Sequence, residues 1–250
     1  MSMSKIDLRL GDCLEVMKTI KDNSIDAIIC DLPYGTTKNK WDSVINLDKL
    51  WFEYKRIIKD NGAIVLFAQT PFDKVLGCSN LDMLKYEWIW NKKRPTGYMN
   101  SNYAPMKQHE NILVFSNKSA CYVKDKKNAM NYYPQDLKVV NKKIKRTAQN
   151  GTYDNKHYDL ESVQKFTGYP KSIIEFSTET GLHPTQKPLE LLEYLVETYT
   201  NEGDTILDNT MGSGTTMIAC KNLGRNGIGI EKEEKYFKIA QERVNSFTQE

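Results

Sequence analysis

TILDNTMGSGTTMIAC, residues 205–220, is the stretch on which the reading of the fold turns. A short apolar run ends at Asp208, glycines stand at 212 and 214, and a helix-forming run begins near Thr215. Glycine lets backbone pass close to a ligand, and the start of a helix offers unpaired N–H groups to a negative group. GIGI follows at 227–230 and runs into Glu231, nineteen residues after Gly212. An acidic side chain at about that separation suits the diol of a ribose. Strand, glycine turn, helix and acid-tipped strand together point to an open α/β sheet holding an adenosine-containing cofactor. A nicotinamide cofactor would use similar parts, and GxG without a third glycine does not separate the two.

The pattern extends upstream and downstream. KPLELLEYLVETYT (187–200) reads as a helix, because Leu189, Leu192, Leu195, Val196 and Tyr199 recur at helical spacing. A helix closed by Gly224 precedes GIGI, and a last helix follows it. At the other end, IDLRL (6–10) and IDAIIC (25–30) read as strands with a short helix at 13–21 between them. LDKLWFEYKRIIKD reads as a helix closed by Asn61-Gly62, followed by the strand AIVLFA (63–68). YEWIW (86–90) and NILVFS (111–116) predict two more strands. Alternation of this kind predicts a doubly wound, mostly parallel α/β sheet. The rhythm breaks at 118–180, which is rich in Lys, Asn, Tyr and Gln. The expected organisation is therefore one half-domain at 1–117, an inserted region at 118–180 and a second half-domain at 181–250.

Composition narrows the class. At 250 residues, 40% hydrophobic and 27% charged, the chain fits one globular domain with an insertion. No apolar run approaches the ~20 residues of a membrane span, and MSMSKIDLRL does not read as a signal peptide. Cys13, Cys30, Cys78, Cys121 and Cys220 form no CxxC pair and have no His at ligand spacing. No metal site or disulfide framework is expected, and a reducing cytoplasm is. Lys118, Lys124, Lys126, Lys127, Lys138, Lys142, Lys143, Lys145 and Arg146 face only Asp125 and Asp136, a net +7 in a chain of net +3. A basic insert on a body of net −4 suggests a polyanionic partner bound at one place, although a solvated loop would carry charge equally well.

The second chemical constellation is IDAIICDLPYGTT, residues 25–37. An apolar strand runs directly into Asp31, Leu32, Pro33 and Tyr34, at the carboxyl end where open α/β sheets bind ligands. Pro33 fixes its own φ and biases Leu32 towards an extended conformation, which aims the Leu32 carbonyl. A carboxylate and an aimed carbonyl are two acceptors, enough to orient an amine. Tyr34 offers a ring on which a planar amine could stack.

In this order the elements resemble the circularly permuted, β-class DNA amino-methyltransferases, which act on adenine N6 or cytosine N4. Asp31-Leu32-Pro33-Tyr34 matches the family's D/N/S-P-P-Y/F motif, and the basic insert follows it. HPTQKP at 183–188 and DNTMGSGTT at 208–216 then match the last two motifs. Gly11-Asp12-Cys13 and His109-Glu110 match two weaker ones. The match covers both flanks, about two thirds of the chain, and leaves the insert uncovered.

The resemblance implies a Rossmann-like methyltransferase fold, circularly permuted, with S-adenosylmethionine as cofactor and double-stranded DNA as substrate. It implies that Asp31 and the Leu32 carbonyl accept from the target amine, with Pro33 holding the turn and Tyr34 stacking on the flipped base. Asp208, Met211, Gly212, Gly214, Thr215 and Thr216 would surround the methionine part of the cofactor. Glu231 would bind the ribose, Asp12 and Cys13 would lie near the adenine, and Asp31, His183, Thr185 and Lys187 would complete the pocket. Residues 92–180 would read DNA through the major groove, with Lys142, Lys143, Lys145 and Arg146 on phosphates. Asp31 favours adenine N6, with cytosine N4 as the alternative. Family habit adds a homodimer, a cognate restriction enzyme and a bacterial or phage origin. Two positions depart from the pattern: Leu32 replaces a Pro, and Asn209-Thr210 replaces Pro-Phe, removing an aromatic from the cofactor pocket. A methyltransferase of RNA or of protein amides, and a DNA-binding module without turnover, are the rival readings.

Overall fold

The computed structural model describes residues 4–35, 44–145, 161–179 and 186–246. Its centre is an eight-stranded sheet. In chain order the elements are β1 (Ile6–Leu10), α1 (Cys13–Met17), β2 (Ile25–Asp31), α2 (Leu47–Ile57), β3 (Ile58–Ala68), α3 (Phe72–Cys78), β4 (Leu84–Thr96) and β5 (Lys107–Phe115). These are followed by β6 (Lys138–Lys145), β7 (Glu161–Thr167), β8 (Ile173–Glu175), α4 (Leu189–Tyr199), β9 (Thr205–Asp208), α5 (Thr215–Asn222), β10 (Asn226–Glu231) and α6 (Glu234–Ser246). The sheet order is β1-β10-β9-β2-β3-β5-β4-β8, parallel throughout except where β5 lies antiparallel between β3 and β4.

Strand alternation divides the core into two layers. Ala27 and Ile29 of β2, with Ala63, Val65 and Phe67 of β3, face α4, α5 and α6. Ile28 and Cys30, with Ile64, Leu66 and Ala68, face α1, α2 and α3. A strand buried on both faces reads as a continuous apolar run, as IDAIIC and AIVLFA do. The doubly wound, mostly parallel reading therefore holds.

Several boundaries differ from expectation. The predicted helix to Asn61-Gly62 stops at Ile57, and β3 starts at the buried, extended Ile58. Ile58 pairs with Ile25, and a register shift before Ala27 absorbs the irregular start. Gly62 sits so close to β2 that a Cβ there would lie 2.7 Å from the Asp26 carbonyl oxygen. Helix α1 ends at Met17 rather than at residue 21, and α3 and β8 had no counterpart in the sequence pattern.

Cα packing divides the chain into residues 1–133 with 172–250 as one unit and 134–171 as another. The smaller unit holds a two-stranded antiparallel ribbon, β6 with β7. Among the described residues no helix is long and apolar enough to cross a membrane.

The topology fixes where a ligand can sit. From β9 the chain passes through α5 to β10 on one side, and from β2 it passes through α2 to β3 on the other. Strands β9 and β2 are neighbours, so the crossovers diverge between them and leave a crevice at their carboxyl ends. Asp208 ends β9, Asp31 ends β2, and Glu231 ends β10.

Candidate active site

One cavity of about 750 Å³ opens along this edge. Its lining includes Asp12, Cys13, Asp31, Leu32, Pro33, Tyr34, Lys187, Asp208, Met211, Gly212, Thr215, Thr216 and Glu231. The described residues expected to form the catalytic and cofactor sites are thus brought together. Gly214 stands one residue from this lining and starts α5 with φ +79°. His183 and Thr185 lie outside the described residues.

The glycine loop is held rigidly from below. Arg243 of α6 donates to the Ser213 carbonyl at 2.6 Å, to Ser213 Oγ at 2.8 Å and to Thr215 Oγ1 at 3.2 Å. Thr216 Oγ1 donates to Asp208 Oδ2 at 2.6 Å, and the Thr210 N–H reaches Asp208 Oδ1 at 3.1 Å. Burial dominates at Asp208 and raises its carboxyl to about 7. Glu231 accepts from the N–H groups of Gly212 (2.9 Å) and Glu233 (2.8 Å), while burial raises its carboxyl too. Gly212 has φ +52°, and a Cβ added there would meet nothing within 4 Å, so bare backbone borders the cavity. Bare backbone and a helix start suit a carboxylate, and the pair of acids suits a cationic centre and a diol on the same molecule. S-adenosylmethionine fits that description. Asp12 accepts from the Leu14 N–H as the cap of α1, with Cys13 buried beside it.

The two departures from the motif pattern acquire a structural meaning. The Leu32 side chain is buried in the core, where it anchors the turn by packing. Thr210 Oγ1 donates to the Asp31 carbonyl oxygen at 2.9 Å. Asn209 Oδ1 accepts from Tyr54 at 2.6 Å. Of the side chains that replace Pro-Phe, Thr210 ties the end of β9 to the end of β2 across the crevice, and Asn209 ties it to α2.

Asp31 is engaged at both of its carboxylate oxygens. Tyr34 donates its hydroxyl to Oδ1 at 2.5 Å, and Lys187 Nζ lies 2.5 Å from Oδ2. Burial and the adjacent Asp31 carboxylate push the Tyr34 hydroxyl well above the ordinary phenol range, so it remains a donor. Phe72 stacks on the Tyr34 ring with centroids 5.3 Å apart. Lys187 is itself buried over the face of Phe67 and lies 3.4 Å from Glu110 Oε2. Glu110 accepts from Lys92 and, at 2.7 Å, from Gln69. Desolvation disfavours the Lys187 ammonium, but Asp31 and Glu110 outweigh it and hold the group above its usual range. At Glu110 burial opposes ionisation, and Lys187 and Lys92 overcome it.

Glu110, Lys92 and Gln69 did not emerge from the sequence as site residues. The signal available was the His109-Glu110 pair before a strand. His109 is exposed and Glu110 is buried. Lys142 and Lys143 are exposed on β6, and Lys145 is the last residue of that strand, whereas Arg146 lies outside the described residues.

Comparison with known proteins shows the family of the chain. The sequence profile of a family described as DNA methylase, of the N6/N4 type, matches residues 25–242. Type II methyltransferase M.HpaI of Haemophilus parainfluenzae is 31% identical, over 96% of this chain and 75% of its own length. The DNA adenine methyltransferase YhdJ of Escherichia coli K12 is 29% identical, over 94% of this chain and 81% of its own. Among solved structures, the M1.HpyAVI–SAM complex superposes with a TM-score of 0.64 at 27% identity, covering 95% of this chain and 99% of the other. The cytosine-N4-specific PvuII DNA methyltransferase reaches 0.69 over 98% of this chain and 89% of its own, a likeness of fold at 14% identity.

Proposed function

The chain belongs to the N6/N4 DNA methylase family, and from that premise we propose that it methylates the N6 amine of adenine in duplex DNA. The observation that carries the proposal is the meeting of Asp31 with Asp208 and Glu231 in one crevice, with Tyr34 beside the first. S-adenosylmethionine, when bound, supplies an electrophilic methyl group on a sulfonium centre. Glu231 would accept hydrogen bonds from its ribose hydroxyls, Asp12 and Cys13 would flank its adenine, and Asp208 with the Gly212–Gly214 loop, Met211, Thr215 and Thr216 would hold its methionine part.

The target base is extruded from the duplex, at a cost of a few kcal/mol, because a paired amine is out of reach. Its amine is a poor nucleophile, since the nitrogen lone pair is delocalised into the ring. Asp31 and the Leu32 carbonyl accept the two amine hydrogens and favour a pyramidal nitrogen, while Tyr34, backed by Phe72, supports the ring. A carboxylate offers about four acceptor sites, so Asp31 can serve the amine while Tyr34 and Lys187 hold it. Orientation of this kind accounts for ~7–11 kcal/mol of a barrier. The surplus proton of the methylated amine leaves towards Asp31. Lys187 and Glu110 act by fixing that carboxylate in place.

Asp31 supports adenine over cytosine, since the family's cytosine enzymes more often carry Ser there. The basic segment with Lys142, Lys143, Lys145 and Arg146 supports phosphate contacts around a groove-reading element. The cytoplasm, a homodimer and a cognate restriction enzyme complete the proposal, the last suggested by the type II names of the relatives. Asp31→Ala is expected to abolish methyl transfer at saturating cofactor and DNA while far-UV circular dichroism stays near wild type; the melting temperature should fall, because buried Lys187 loses one of its two acid partners. Near-normal turnover would remove Asp31 from the reaction.

A further inference from the structure

The hairpin between β4 and β5 ends in an unusually apolar tip. Tyr98, Met99 and Tyr103 are 78%, 92% and 89% exposed. Three large apolar side chains laid open on one short turn are a liability in water unless they meet a partner. The tip is nevertheless well formed, because its backbone satisfies itself. Asn100 N–H bonds to the Gly97 carbonyl, Ser101 N–H to Tyr98, and Tyr103 N–H to Asn100, at 2.9–3.0 Å. Gly97 opens the turn at φ +88°. The backbone thus presents these side chains without using them for its own packing.

Two observations indicate what covers them. From Asn91 to His109 the chain carries Lys92, Lys93, Arg94 and Lys107 and no acid. Lys93, Arg94 and Lys107 are exposed, one pair on the outgoing strand and one residue on the returning strand. The charge therefore suits a polyanion on both sides of the tip. The hairpin also runs directly out of the cavity: Trp90, Lys92, Thr96 and Glu110 line it, and Thr96 pairs with Lys107 at the last rung before the tip. Apolar side chains within a basic frame, one rung from a pocket that must receive an extruded base, match what an unstacked duplex requires. Proteins that open DNA insert apolar wedges between base steps, and aromatic side chains replace lost stacking.

Resting on the DNA methyltransferase reading, we propose that the tip of the β4–β5 hairpin enters the duplex at the target. In this arrangement Tyr98, Met99 and Tyr103 fill the gap the extruded base leaves, and Lys93, Arg94 and Lys107 hold the flanking phosphates. This is a role in opening DNA, distinct from sequence reading by the basic insert.

The test compares wild type with Tyr98→Ala/Met99→Ala/Tyr103→Ala on two duplexes that contain a site mapped by modified-base sequencing. One duplex is fully paired, and the other carries an abasic position opposite the target. On paired DNA the variant should lose about 10- to 100-fold in kcat/KM, the usual worth of one stacked base. Most of that loss should vanish on the abasic duplex, where the target is already unpaired. Cofactor affinity, measured by calorimetry, should be unchanged, since the tip lies outside the cavity lining. Equal loss on both duplexes would make the tip a general DNA contact and overturn the proposal, and no loss on either would do the same. A fall in sedimentation mass for the variant would reassign the tip to contact between copies of this chain. If wild type itself methylates neither duplex, the enzymatic reading fails, whatever the tip does.

Discussion

Asp208 concentrates the electrostatics of the site in one residue. It sits at the end of a buried strand with Thr216 and Thr210 as donors, yet burial, with Asp31 and Glu231 nearby, lifts its carboxyl to about 7. An acid raised in the fold binds its proton more tightly there than in the unfolded chain. Its contribution to stability is therefore fully present below the unfolded value near 3.8, and is lost as pH rises from there to about 7. Asp208→Asn removes that dependence. Urea midpoints should show the variant gaining on wild type by up to about 1.4 kcal/mol per pH unit from pH 5 to 7, with no further change above. A pH-independent difference would contradict the burial assigned to Asp208. A cationic cofactor offsets the cost by favouring the ionised form, which fits an acid placed for binding rather than for stability.

The elements show where sequence sufficed and where it did not. The strands 25–30, 63–68 and 205–208 were legible because parallel strands buried on both faces leave apolar runs. The glycine loop was legible because Gly212 and Gly214 fall between an apolar run tipped by Asp208 and a helix-forming run. The end of α2 was not, since IIKD continues the helical spacing while tertiary contact draws Ile58 into the sheet. Strand β8 is three residues long and, among the described residues, joins the sheet through β4 alone, a pairing that no local pattern announces. In the site, Asp31 and Glu231 could be read because each ends a strand. Glu110 and Lys92 meet across the β4–β5 hairpin, where Trp90 pairs with Glu110, and that register depends on the folded sheet. Helix α5 offers a test. Gly214 has φ +79°, and a Cβ there would lie 3.0 Å from Ala240 Cβ of α6. Gly203 has φ +84° with open space around it. Gly214→Ala should cost about 1–3 kcal/mol more than Gly203→Ala in urea unfolding, because only the first adds overpacking to backbone strain. Equal losses would show that α5 and α6 yield freely where they meet.

At the scale of the whole molecule, a body of net −4 carries an insert segment of net +7, so long-range attraction to a polyanion is focused on one part of the chain. The β6–β7 ribbon has the form that a major groove admits. Adjacent strand residues point to opposite faces, so Lys142 and Lys143 address different surroundings. Replacing Lys142, Lys143, Lys145 and Arg146 with Ala should weaken binding to all duplexes alike. The salt dependence should flatten by about one unit of slope for each phosphate that is no longer neutralised. An unchanged slope would leave these side chains solvated charges on the ribbon that contact no phosphate.

The most direct measurement of the reaction is mass spectrometry of nucleosides from duplex DNA incubated with the purified chain and S-adenosylmethionine. Wild type is expected to yield N6-methyladenine, and Asp31→Ala none. N4-methylcytosine as the sole modified nucleoside would contradict the adenine assignment, and unmodified DNA from a folded, cofactor-binding chain would contradict the reaction itself.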